Sequence, residues 1–573
     1  MAPFRQARFG CDAEHFTVTE SDLPRMGVPA ELMQRLSMAE QHEYLTRLRP
    51  SRRTLLRTGA LAAGGTAVAG LLPATSAAAS PTSPTLITSS TRHGTTVVPF
   101  ARHLAFGADP RTQMRIAWQV PAIVKHPFVR LGRHPLDLGQ KIPAEVRALH
   151  SEVPGAIAPV DQYYLHVELD RLLPGSRYFY GVGHDGFDPA DAANLTSLGE
   201  FETAPRRKAH ALSYTFTAFG DQGVSYDALA NDTTLLGQHP KFHLHAGDIA
   251  YADPSGQGKP VSSTGANGTD VFDPRVWDNF LNQTELVAKQ IPWMVATGNH
   301  DMEALYSPNG YGGQEARWDF PGNGPSKCPS VYSFIYGNVA YISLDANDVS
   351  NEIPANKGYS GGSQTAWLAE RLYFLRTQPD VDFVVVYFHH CAYSTTNQHA
   401  SEGGVRADWV PLFDKYKVDL VINGHNHVYE RSDALRANAV TRSVAIGATV
   451  DPAEDGTMYV TAGGAGRSLY SFPVPDSYAG HEVAHGDVPS YYWDANGNKV
   501  TETIQWSRVR YTGYSFLAVD VAPAPHGRAT TLTVRALAEN GTEVDRFVIR
   551  RKAGEVGLAS RGVPRPNENL SAS

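Results

Sequence analysis

VDLVINGHNHVYER, Val418 to Arg431, runs from an apolar segment through one glycine into two histidines separated by a single residue. The apolar run reads as a strand whose carboxyl end turns polar. If the chain stays extended past Gly424, alternate side chains share a face, so His425 and His427 point the same way while Asn426 points back. Such a pair can hold metal, either one ion between them or one ion each.

The same punctuation recurs four more times. SYTFTAFG leads into Asp221, KFHLHAG into Asp248 with Tyr251 three residues later, IPWMVATG into Asn299, His300 and Asp301, and VDFVVVYF into His389 and His390. Taken singly these are weak signals, since a Gly-Asp after a strand is usually a turn or a helix cap. Together they place carboxylates, imidazoles, a phenol and a carboxamide at strand ends, and in open α/β sheets ligands bind at the carboxyl ends of the strands. His390 reads as structural, because in an extended segment it points away from His389. Neutral imidazoles suit divalent Zn, Mn or Fe, whereas phenolate and carboxylate oxygens favour a harder ion such as Fe(III), so the mixture implies two unlike sites. Two-metal hydrolases hold such ions about 3.5–4 Å apart.

The chain has 573 residues, 42% apolar and 19% charged, enough for two or more domains. A formal charge of -8 leaves no basic surplus for nucleic acid, so an anionic substrate has to be drawn in by a local site. Paired arginines in SRRTLLR (Ser51 to Arg57), a Gly/Ala-rich apolar stretch and the small residues ATSAAAS predict a twin-arginine export signal over residues 1–80, with a long n-region and a cut near Ala77 to Ser80. The expected partner is the twin-arginine export machinery and the expected location is secreted. No stable membrane anchor is expected, because the apolar core is short and is followed by Pro and Ser.

Residues 84–205 show short alternating runs such as TQMRIAWQV and QYYLHVEL between Gly, Pro and Asp turns, the pattern of an antiparallel β-sandwich. LLPGSRYFYGVG, Leu172 to Gly183, resembles the late-strand signature of fibronectin type III modules. Apolar runs alternating with helical stretches then predict an α/β domain over 210–510. YSFLAVDV and TTLTVRAL within 511–552 predict edge strands completing that domain, and residues 553–573 read as a disordered tail. GGAGRS, Gly463 to Ser468, lacks the Lys and spacing of a phosphate loop and reads as a turn. Cys328 and Cys391 are expected to be single buried thiols.

GDQG, GDIAYAD, GNHD, HHCAY with NQHASEG, and GHNHVYER together resemble the motif series of the purple acid phosphatases, members of the calcineurin-like metallophosphoesterases. HLAFGADPRTQMRIAW resembles the fibronectin-like domain of the larger plant-type enzymes. The resemblance implies a two-sheet α/β/β/α sandwich behind an all-β sandwich. It also implies a ferric ion on Asp221, Tyr251 and His427, a divalent ion (Zn, Mn or Fe) on Asn299, His389 and His425, and Asp248 bridging them. His300 and His399 fall where the family places substrate-facing, catalytic histidines. The resemblance also implies that Asn299 and Glu402 face substrate. Other metallophosphoesterases carry Asp-x-His at the first motif; Gly223 stands there in this chain, and Tyr251 supplies the missing donor. Gln398 replaces the family's second histidine beside His399.

The implied activity is that of an acid phosphatase, in which a small phosphate monoester is attacked by a metal-activated hydroxide. A phosphodiesterase on the same metals is the alternative. A secreted binding or adhesion protein with structural metals is a third reading, disfavoured because the donor set leaves room for water and substrate.

Overall fold

The computed structural model describes residues 97–151, 159–207, 213–253, 256, 272–303, 310–473, 488–522, 529–552 and 563–566. The export segment and most of the C-terminal tail lie outside them. The continuous apolar runs form the parallel strands, as expected where both faces of a sheet are covered. Tyr214–Phe219, His243–Ala246 and Trp293–Ala296 lie side by side and parallel. The helices Tyr226–Leu236 and Arg275–Ala288 make the crossovers between them. Ser225 starts the first helix by accepting the Ala228 N–H on its hydroxyl.

Among the described residues this first sheet has seven strands. Its order is Trp293–Ala296, His243–Ala246, Tyr214–Phe219, Ser515–Ala522, Ala529–Ala538, Glu543–Lys552, Thr449–Val450. A second sheet, also of seven, runs Tyr332–Tyr336, Val339–Ser343, Phe383–Phe388, Leu420–Asn423, Met458–Ala462, Tyr429–Ser432, Ser507–Tyr511. The expectation of C-terminal edge strands needs correction. Ser515–Ala522 pairs antiparallel with Tyr214–Phe219 in the interior of the first sheet, because its apolar residues find cover on both faces there.

Alternation within the strands sorts side chains into layers. Phe216, Ala218, Val519 and Val534 face Val385, Tyr387, Ile422 and Val460 in one core between the sheets. Phe219, Val295 and Ala518 face outward onto Leu235, Trp277 and Phe280 of the first two helices. Val384, Val386 and Val421 face the other way, onto Leu368 and Leu372 of the helix Ser363–Thr377 and onto Trp409 and Phe413. The result is the α/β/β/α sandwich.

The N-terminal residues form two four-stranded antiparallel sheets among the described residues. They dock on the α/β unit through buried polar contacts. Gln119 and Gln162 donate to Asp278 Oδ1 at 2.6 and 2.7 Å. Glu285 accepts the Ala101 N–H at 2.9 Å. His166, on the strand Val160–Leu169, sits between Asp319 Oδ2 and the Ala316 carbonyl, each 2.8 Å away, and Arg147 reaches Asp319 Oδ1 at 2.8 Å. Burial alone would raise the Asp319 carboxyl, but His166 and Arg147 outweigh it and hold the pKa at about 2.

A folded-state pKa below the unfolded one stabilises the protein above the unfolded value, and the gain is lost as pH falls through the folded one. Asp319→Asn should therefore cost about 2–3 kcal/mol at neutral pH, read by urea unfolding. The gap from wild type should close as pH falls from about 4 toward 2.

Candidate metal centre

The parallel strands of both sheets end at one rim, and all five motifs converge there. His389 Nδ1 lies 2.9 Å from the Ala246 carbonyl, which can only accept, so the ring's proton is on Nδ1 and Nε2 carries a lone pair. That lone pair faces Asn299 Oδ1 at 3.0 Å, Asp248 Oδ2 at 3.2 Å and His425 Nδ1 at 3.2 Å. Asn299 uses its amide hydrogens on the Gly256 carbonyl at 3.1 Å and Glu352 Oε1 at 3.2 Å, so its oxygen is the atom turned inward.

A second group gathers beside the first. The Tyr251 hydroxyl lies 3.1 Å from Asp221 Oδ1 and 3.0 Å from His427 Nε2. His427 donates from Nδ1 to the Ser468 carbonyl at 2.7 Å, which again leaves an inward lone pair. His389 Nε2 and Asp221 Oδ1 stand 4.0 Å apart across the two groups.

These donors are almost fully buried, and lone pairs aimed at lone pairs repel unless positive charge lies between them. The residue types fit a two-metal site with one nitrogen-rich and one phenolate-bearing side. Burial would lower the His389 pKa, yet the carboxylates of Asp248 and Asp221 outweigh it and raise it, so without a metal they favour a proton on Nε2, the place a cation would take. Burial, then the carboxylates of Asp221 and Asp248, push the Tyr251 phenol well above its usual range, so a phenolate there requires a cation beside it.

Backbone geometry holds the donors at this spacing. Asp221, Asp248, Tyr251, His399 and His425 all have φ between 50° and 69°, a left-handed region that costs L residues about 1–3 kcal/mol each and clusters at functional sites. The expectation of an extended chain through His425 is thus corrected: the strand stops at Asn423, and His425 turns at φ 69°. His425 and His427 both reach the rim, but as a fork and not by strand alternation. Gly298 and Gly424 are demanded by close approach, since a Cβ would fall 2.2 Å from Asp248 Oδ1 or 2.6 Å from Asp221 Oδ2.

His300 donates from Nδ1 to the Asp253 carbonyl at 2.6 Å, and its Nε2 lies 3.9 Å from Asp248 Oδ2. The His399 ring centroid is 4.4 Å from that of His425, and its Nδ1 bonds Glu402 Oε1. Gln398 is exposed.

His390 is also corrected. The strand ends at Phe388, the chain is no longer extended, and the His390 ring packs 4.5 Å from His425 with Nε2 2.9 Å from Glu352. GGAGRS is more than a turn, because it lays the Arg467 guanidinium 4.5 Å over the Tyr251 ring and brings Gly463 against Asp221. No pattern in the linear chain marks Glu352, which sits in an irregular loop; the glycine-rich run was the one signal available for Arg467. Cys328 and Cys391 are both buried and free.

Residues 214–429 match the calcineurin-like phosphoesterase family, and residues 99–203 match the purple acid phosphatase N-terminal domain. The Mycobacterium tuberculosis protein Rv2577 is 31% identical over 551 residues, covering 88% of this chain and 96% of that one. Purple acid phosphatase 23 of Arabidopsis thaliana is 28% identical over 53% of this chain and 62% of its own length. The fold is similar to that of purple acid phosphatase PPD1 from yellow lupin (Lupinus luteus) seeds, with a TM-score of 0.59 and 20% identity over 83% of this chain and 78% of that one. With both its sandwich and its α/β unit matched, and with a relative aligned along nearly its whole length, the chain belongs to the purple acid phosphatase family of calcineurin-like phosphoesterases.

Proposed function

We propose that this chain is a secreted acid phosphatase that hydrolyses phosphate monoesters at a pair of metal ions. Asp221, Tyr251 and His427 would hold Fe(III), and Asn299, His389 and His425 a divalent Zn, Mn or Fe, with Asp248 reaching both. The observation that carries this reading is the inward turn of lone pairs on His389, His427 and Asn299, each with its hydrogens committed elsewhere. When bound, the ions supply an activated water nucleophile and offset charge on the phosphoryl oxygens.

The chain's own groups bind and protonate. His300 has its Nδ1 proton engaged by Asp253, which leaves Nε2 to meet a phosphoryl oxygen. Burial disfavours a charged His399, but the Glu402 carboxylate on Nδ1 outweighs it and raises the pKa above the ordinary value. His399 therefore keeps its proton to higher pH and can give it from Nε2 to the departing alkoxide. Glu402 orients that ring. Exposed Gln398, where the family carries histidine, leaves His399 to protonate alone.

Metal-loaded protein should cleave a simple monoester faster than the matching diester, and the reverse order would favour the phosphodiesterase reading. His399→Ala should slow an alkyl phosphate, a poor leaving group, by about 10²–10⁴-fold and a nitrophenyl phosphate much less. An equal effect on both would reject the acid role. Tyr251→Phe should remove any visible tyrosinate-to-iron absorption; a coloured variant would reject that ligand. Export by the twin-arginine machinery predicts that Arg52→Lys with Arg53→Lys traps folded protein inside the cell, measured by fractionation.

A further inference from the structure

Glu352 lies in the irregular segment between the strand Val339–Ser343 and the helix Ser363–Thr377, remote in sequence from every motif. Its two carboxylate oxygens divide their work. Oε1 accepts from Asn299 Nδ2 at 3.2 Å. Oε2 lies 2.9 Å from His390 Nε2 and 3.3 Å from His425 Nε2.

Each contact decides which atom of a neighbour faces the rim. An Asn amide can turn end for end, and a carboxylate on Nδ2 keeps Oδ1 inward. A neutral imidazole has one proton, and carboxylates at Nε2, with Glu402 Oε1 adding a second at 3.4 Å, draw it there and leave a lone pair on Nδ1. His390 holds Glu352 in place. Its Nδ1 has no hydrogen-bond partner among the described residues, so its proton is best used on Nε2 against the carboxylate.

We infer that Glu352, braced by His390, is a positioning residue that selects the ligand atoms of Asn299 and His425 and thereby governs one metal position but not the other. The inference rests on the two-metal reading above. No hydrogen bond from Glu352 to Asp221, Tyr251 or His427 is present among the described residues, so its influence is confined to the nitrogen-rich side.

Glu352→Gln is nearly isosteric but carries one acceptor and one NH₂. Whichever way it turns, its NH₂ meets either the Asn299 NH₂ or two imidazole N–H groups. The test is dialysis of metal-loaded protein against graded chelator, with metal per chain read by elemental analysis. Wild type should hold two ions. In Glu352→Gln one of them should leave at about 10–100-fold lower chelator concentration, while the other is held as in wild type.

His390→Leu, which keeps the carboxylate but removes its brace, should weaken the same ion by a smaller factor. It serves as the second variant if Glu352→Gln fails to fold, as judged by circular dichroism of the stripped proteins. Both ions held as tightly as in wild type, or both lost together, would overturn the positioning role. A wild-type protein that binds fewer than two ions would overturn the two-metal reading, and this inference with it.

Discussion

His389 Nε2 lies 3.0 Å from Asn299 Oδ1 and 3.2 Å from His425 Nδ1 in a buried space, with the other ring nitrogens and the amide hydrogens engaged elsewhere. Such a confrontation of acceptors is unfavourable unless positive charge lies between them. Much of the surrounding structure serves to hold it. Backbone carbonyls of Ala246 and Ser468 take the outward protons of His389 and His427, the carboxylates of Glu402 and Glu352 face His425 Nε2, and Glu352 accepts an amide hydrogen of Asn299. In metal sites generally, groups that never touch the cation orient those that do and tune its affinity.

Close approach of strand ends has a second requirement. Where the two sheets meet at one rim Gly424 lies against Asp221, and where neighbouring strands of the first sheet end Gly298 lies against Asp248, both at distances that exclude a Cβ. Left-handed backbone at Asp221, Asp248, Tyr251 and His425 turns side chains inward that an extended chain would splay to either face. That strain is held by the rigid parallel strands behind it, whose residues pack into the core between the sheets and against the helices outside. The N-terminal sandwich contributes from a distance by clamping the segment that carries Ala316 and Asp319.

Much of this was legible in advance. Runs such as VDFVVVYF and VDLVIN are apolar without alternation because parallel strands are covered on both faces, and the polar residue types that follow them are sparse enough in apolar sequence to stand out. Other features were not legible. An extended geometry assigned His390 to the far face, whereas the strand ends two residues earlier and the ring turns back to His425. Ser515–Ala522 looks like a terminal addition, yet it fills the middle of a sheet, because pairing order is set by which edge remains open and not by position along the chain.

From the amino-acid sequence alone come the donor types, their placement just after strands and the α/β class, since each depends on local pattern and on chemistry within a few residues. Which donor faces which was decided only in three dimensions. The His425 N–H bonds Asp221 Oδ2 across 204 residues, and the proton positions depend on carbonyls and a carboxylate in other segments. Local pattern carries no information about such partners, because the energy that selects a tautomer or an amide orientation comes from groups brought near only when both sheets close on one core.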